Sequence, residues 1–174
     1  MFAGLSTYML VTQFIGFVAM GLNFVTRALT NDRQLKIVGV IAASTWALHF
    51  GLLHAWVGAS TNLIEVLVIF ASLWVLPPFM QWVFIALPLL PAPWIVSGLV
   101  DVLPLAAGVL LGFAMMFLKD IPLRLALLAT SVMWLVYNAV SFSWGGVVTE
   151  VISLGILVVT IYRMGLEVVR APAK

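Results

Sequence analysis

Residues able to do polar chemistry recur along this chain at a fixed offset. Asn62 and Glu65 stand three apart, and so do Glu150 and Ser153. On a helix that interval puts both side chains of a pair on one face. A tryptophan precedes each pair, Trp46 in the first case and Trp134 in the second. Shifting the chain by 88 residues lays Trp46 on Trp134, Asn62 on Glu150, Glu65 on Ser153, and His49 on Tyr137 with Asn138 beside it. Facing each other across a pseudo-two-fold axis, these side chains would line a small cavity. Aromatic faces there would stack on C–H surfaces, while amide, hydroxyl and carboxylate groups would bind a polar, largely neutral solute. Trp46, His49, Asn62, Glu65, Trp134, Asn138, Glu150 and Ser153 are therefore the candidate substrate-binding residues.

A plainer reading stands beside that one. Polar side chains in membrane bundles also hydrogen-bond neighbouring helices, for a gain of about 0.6 kcal/mol each. Trp46 and Trp134 also suit packing, and Trp56 and Trp144 sit at span ends where indole anchors at the interface. Glu65 and Glu150 fit equally as carboxylates near a helix start, meeting the positive end of the dipole. Enzyme chemistry is disfavoured. The chain has no cysteine and only two histidines, which form no HExxH motif, and its acids are scattered, so neither an activated nucleophile nor a metal cluster emerges. No cofactor or metal is expected. The last span has no lysine for a retinal Schiff base.

The elements that must position these residues are transmembrane helices. Of 174 residues, 64% are hydrophobic and 8% charged, against about 25% charged in soluble domains. The mean hydropathy is +1.22. The lipid bilayer is the expected surrounding, and the net charge of +2 belongs to loop lysines and arginines, not to a nucleic-acid surface. Seven apolar spans are expected at residues 5–26, 35–54, 61–77, 79–90, 103–118, 123–142 and 147–163, with 94–101 open between interfacial helix and loop. The fourth and fifth are short against the roughly 20 residues of a full crossing. No basic segment precedes the first span, where a cleavable signal would carry one, so it is expected to be retained.

Basic residues fix the expected topology. Arg27, Arg33 and Lys36 flank the first–second junction, Lys119 and Arg124 the fifth–sixth, and Arg163, Arg170 and Lys174 follow the seventh. Basic short loops stay cytoplasmic. These three segments share one side only if a single crossing separates two three-helix sets. The expected fold is therefore all-α, with two parallel three-helix bundles at 1–78 and 103–174 joined by a linker at 79–102, the N-terminus outside and the C-terminus cytoplasmic. The 88-residue shift supports a tandem repeat: it also pairs Asp32 with Asp120, Lys36 with Arg124, Trp56 with Trp144, Gly58 with Gly146, Thr61 with Thr149 and Ile64 with Ile152. Gly108 and Gly112 form a GxxxG motif, suited to close helix contact within a repeat or between the protomers of a homodimer.

Gln13-Phe14-Ile15-Gly16, Asn31-Asp32-Arg33, His49-Phe50-Gly51-Leu52-Leu53, Gly58-Ala59-Ser60, Leu103-Pro104, the Trp134 to Asn138 run, and Gly145-Gly146 with Glu150 resemble the YgjV-type bacterial inner membrane proteins, in order and over nearly the whole chain. That resemblance implies an inner-membrane location. The plan is also similar to that of SWEET and PQ-loop transporters, in which a tryptophan on the second helix of each bundle and an asparagine on the third line the solute pocket. Trp46 with Asn62, and Trp134 with Glu150, are the counterparts the resemblance implies. The Pro-Gln motif is absent, since no proline precedes Gln13 and Leu105 follows Pro104. Glu150 stands where asparagine is expected, and a carboxylate there allows proton linkage or a cationic solute. A SWEET-like facilitator of a small polar solute is the expected function. A non-transporting sensor or accessory subunit is the alternative.

Overall fold

A computed structural model describes residues 7–54, 56–96, 98–140 and 144–170, and among them every regular element is helical. The α-helices are α1 (Thr7–Ala28), α2 (Asp32–Leu52), α3 (Trp56–Ala71), α4 (Pro78–Ala86), the single turn α5 (Ala92–Ile95), α6 (Val102–Phe117), α7 (Asp120–Val140) and α8 (Trp144–Arg170). Short 3-10 turns at Leu87–Leu89 and Leu99–Asp101 follow α4 and precede α6. Helix starts follow local chemistry. The Asn31 side chain accepts the Gln34 N–H at 3.0 Å, and Asp32 occupies the first turn of α2, where a carboxylate meets the positive dipole end. Pro78 opens α4 at a position whose N–H would find no helical partner in any case.

Among the described residues, five stretches are long and apolar enough to cross a membrane: Thr7–Ala28, Asp32–Leu52, Leu99–Phe117, Asp120–Val140 and Gly146–Val168. The other two expected spans are shorter than a full crossing. α3 stops at Ala71 rather than at residue 77. There Ser72 Oγ turns back to the Ile69 carbonyl at 2.7 Å, and Lys36 Nζ takes the Ser72 carbonyl at 3.0 Å, satisfying groups the helix end would leave open. Pro77 and Pro78 then keep the preceding residues out of helix. α4 is broken by Pro88, which has no N–H to donate. With its 3-10 turn it reaches only about 20 Å. α8, by contrast, continues past residue 163 to Arg170, since no glycine–proline signal interrupts it.

The helices neighbour one another as α1–α2, α2–α3, α6–α7 and α7–α8, with α1 also against α8, α3 against α6, and α4 against α6 and α3. The order α1–α2–α3–α6–α7–α8 thus closes on itself. Under the 88-residue shift, the α1–α8 neighbours map onto α6–α3. Burial follows the same offset: Ala19 with Ala107, Thr26 with Ala114, Leu35 with Leu123, Gly39 with Leu127, Ala42 with Thr130, Ala43 with Ser131 and Ile69 with Leu157 are all buried. Leu35, Ile69, Leu111, Met115, Leu123, Leu127 and Leu157 belong to one apolar cluster. In lipid, van der Waals packing rather than water exclusion holds such a cluster together. Exposed apolar side chains such as Phe14, Phe17 and Tyr162 turn outward, as a lipid-facing surface requires.

The GxxxG motif is used inside the chain. A Cβ on Gly108 would lie 2.9 Å from Pro88 Cβ, and one on Gly112 would lie 3.2 Å from Ile85 Cα. Bare glycines on α6 therefore let α4 and its 3-10 turn approach at backbone distance. Basic segments meet at one end of the molecule. A surface hollow of about 480 Å³ there is lined by Asn31, Asp32, Arg33, Lys119, Asp120 and Glu167 among others. Trp56 and Trp144, the expected interfacial anchors, lie outside the residues whose side chains are described.

Candidate functional site

The inner stripe of α8 carries polar side chains where an ordinary membrane helix would be apolar. Thr149, Glu150, Ser153, Leu157, Thr160 and Met164 are buried at three- and four-residue intervals. Glu150 is 8% exposed and Ser153 fully buried, and neither Glu150 Oε2 nor Ser153 Oγ has a protein partner. Ser131 of α7 is also fully buried. It lies beside the Glu150 carboxylate, yet its hydroxyl closes no hydrogen bond of good geometry. Glu65 projects from the side of α3 opposite its exposed Leu63, Leu67 and Phe70. Arg27, in the last turn of α1, lies within electrostatic range of both Glu150 and Glu65, and the two carboxylates also sense each other.

Side chains from four helices lie within electrostatic or hydrogen-bonding range of Glu150 or on its helix face. Arg27 comes from α1, Glu65 from α3, Ser131 from α7, and Glu150 with Ser153 from α8. Ionisable side chains within or at the ends of spans are rare and mark function by default, so three near one another are not packing residues by default. Arg27 does not close on either acid. Among the described residues the one direct ion pair is Asp32 with Arg124. The charges stand around the centre instead of cancelling in contact.

The expected site residues divide. Glu65, Glu150 and Ser153 come together at this centre. His49 does not: it is buried, with Nδ1 2.9 Å from the Thr12 carbonyl oxygen and its ring where a Cβ on Gly16 would sit. It fastens α2 to α1. Trp46 meets His49 edge to face with ring centroids 5.5 Å apart, and stacks on Phe50. Trp134 meets Tyr137 in the same edge geometry at 5.8 Å, the counterpart contact at the 88-residue offset. Asn62 Nδ2 donates to the Gly58 carbonyl of its own helix at 2.9 Å. The Asn138 side chain lies where a Cβ on Gly146 would stand. Phe50 lies against Gly58 in the matching place.

Two members of the centre are not among the expected residues. Arg27 reads as a loop base, because a basic residue at a span end normally marks the interface. Ser131 corresponds to Ala43 at the 88-residue offset, so the repeat does not flag it. Below the centre, at the basic end, Arg124 is fully buried. Its guanidinium pairs with Asp32 and donates to the carbonyls of Thr30 at 2.8 Å, Leu29 at 3.0 Å and Asp120 at 3.1 Å. It thereby ties the start of α7 to the end of α1 and the start of α2. Lys36, its counterpart, ties α2 to the end of α3.

The centre offers hydroxyl and carboxylate acceptors together with a guanidinium donor, a set suited to binding and orienting a polar solute. Comparison with curated proteins and with solved structures finds no match for the chain. The family described as a bacterial inner membrane protein, Imp-YgjV, matches residues 10–167. With five membrane-length helices among its described residues and a match over nearly its whole length, the chain belongs to the Imp-YgjV family of bacterial inner membrane proteins.

Proposed function

We propose that this protein is a facilitator that carries a small polar solute across the inner membrane by alternating access. The observation that carries the reading is the centre formed by Arg27, Glu65, Ser131, Glu150 and Ser153, where buried polar atoms stand without protein partners. A purely structural core would satisfy those atoms or replace them with apolar groups.

Two three-helix units at 1–78 and 103–174, joined by a linker at 79–102, give the reading its mechanics. Support comes from the neighbours α1–α8 and α3–α6, equivalent under the 88-residue offset. Contacts at the basic end also bear on it: α3 ends beside Lys36 of α2, and α7 starts beside the end of α1. The segment between α3 and α6 then returns the chain to the far side, making the units parallel. Rocking of one unit on the other would open the centre to each side in turn. The Asp32–Arg124 pair, joining α2 to α7, would part when the basic end opens. That end is cytoplasmic in this reading, with the N-terminus outside. No enzymatic step is assigned to the protein.

The test is solute counterflow in proteoliposomes with a panel of polyols, sugars, amines and amino acids. Flux of one solute class, lost in Glu150→Gln and Glu65→Gln from folded protein, supports the reading. No flux across the panel from folded, inserted protein would favour a sensor or accessory subunit, and a co-purifying partner would then be sought.

A further inference from the structure

We infer that the solute held at this centre carries an ammonium group, bound by the Glu150 carboxylate with the hydroxyls of Ser131 and Ser153. The inference rests on the facilitator reading for its cargo, though the binding itself needs no transport.

The centre holds more acids than bases. Two carboxyl groups, Glu65 and Glu150, stand near one guanidinium, Arg27. A second carboxyl away from water needs either a proton or a cation beside it. A solute with a single positive charge can take the proton's place. A sugar or polyol cannot.

Donors are wanted as well, independently of charge. Three buried oxygens here close no hydrogen bond of good geometry: Glu150 Oε2, Ser153 Oγ and Ser131 Oγ. Glu150 and Ser153 share one face of α8, and Ser131 lies beside Glu150. An ammonium group has three N–H donors and no acceptor, so it matches three acceptor oxygens in number and polarity. Hydrogen bonds between an ion and its partners are stronger than neutral ones. Arg27 Nε is also buried without a partner. It comes from α1 and supplies a donor for an oxygen of the solute. The fixed guanidinium also disfavours a second positive charge, which keeps the preferred solute a monocation or a zwitterion.

The experiment is calorimetric titration and thermal unfolding of the full chain in detergent, with ethanolamine, ethylene glycol and sodium chloride as probes. Ethanolamine and ethylene glycol are nearly the same size and differ in one ammonium for one hydroxyl. The expected result is saturable binding of ethanolamine that raises Tm, with no saturable effect of ethylene glycol or sodium. Glu150→Gln is expected to weaken that binding about tenfold or more, and Ser131→Ala by a smaller factor. Equal binding of ethylene glycol, saturation by sodium alone, no saturable ethanolamine binding by folded protein, or unchanged affinity in Glu150→Gln would each overturn the inference. Flux of neutral polyols without ethanolamine binding would sink it and leave facilitation standing. Ethanolamine binding without flux of any solute would do the reverse.

Discussion

The backbone N–H of Asp120 donates to the carboxylate of Asp32, its own counterpart 88 residues earlier, at 2.9 Å. Arg124 pairs with the same carboxylate. The two aspartates thus have unlike tasks. Asp32 accepts from two partners, while Asp120 presents its amide from a left-handed backbone, φ 51°. Aspartate tolerates that region better than most residues but glycine adopts it freely.

Opposite outcomes are therefore expected at these two positions. Asp32→Asn leaves the fully buried Arg124 without its counter-charge and should lower stability by about 3 kcal/mol. Asp120→Gly relieves the backbone and should hold or raise Tm, whereas Asp120→Val should lower it. Thermal unfolding in detergent reads all three. A double variant, Asp32→Asn with Arg124→Met, should recover part of the loss. Equal losses from Asp32→Asn and Asp120→Gly would show that neither asymmetry matters.

Small residues on α6 and α1 should respond differently to the same change. A methyl group on Gly112 would meet the Ile85 backbone at 3.2 Å, while one on Gly21 would meet nothing within 4 Å. Gly112→Ala is expected to lower stability by about 1–3 kcal/mol, because backbone cannot swing aside as a side chain can. Gly21→Ala should leave it unchanged or raise it by up to about 1 kcal/mol. Unfolding midpoints measured side by side decide the point.

His49 should matter for folding and not for the solute. Its contact is with Thr12 of α1, so His49→Ala should reduce Tm through a lost buried hydrogen bond and a cavity, by about 2–3 kcal/mol in all. Any solute affinity measured on the folded fraction should persist. A binding loss beyond twofold at unchanged Tm would return His49 to the site.

Membrane orientation is open to a direct check, because the natural chain has no cysteine to remove. Arg33 and Leu53 are exposed at opposite ends of α2. In intact spheroplasts an impermeant maleimide should label Leu53→Cys and spare Arg33→Cys until the membrane is permeabilised. The reverse pattern would invert the topology.

Much of the fold is legible in the sequence because hydropathy and basic residues report on lipid and loops directly. Helices α1, α2, α7 and α8 follow from apolar length, and the clustering of Arg33, Lys119 and Arg124 at one end follows from charge placement. The end of α3 does not, because one group that satisfies it, Lys36, is a tertiary partner 36 residues away. Glu65, Glu150 and Ser153 stand out in the sequence because ionisable and polar residues are rare inside spans. Arg27 is missed for the converse reason: at a span boundary an arginine looks ordinary, and only its placement near Glu65 and Glu150 sets it apart. The contact of His49 is not legible, because its partner is a backbone carbonyl, which no residue type advertises.

The two-unit plan proposed above has a consequence that concerns parity. Identical chains around a two-fold axis can place charges at that axis only in even numbers. A pair of first halves would bring two arginines and two glutamates to the centre. A pair of second halves would bring two glutamates and no arginine, since the counterpart of Arg27 is the buried Met115. Two different halves bring three ionisable groups, Arg27, Glu65 and Glu150. One chain that carries both halves delivers one guanidinium and two carboxyls in a fixed ratio, whatever the amount of protein made.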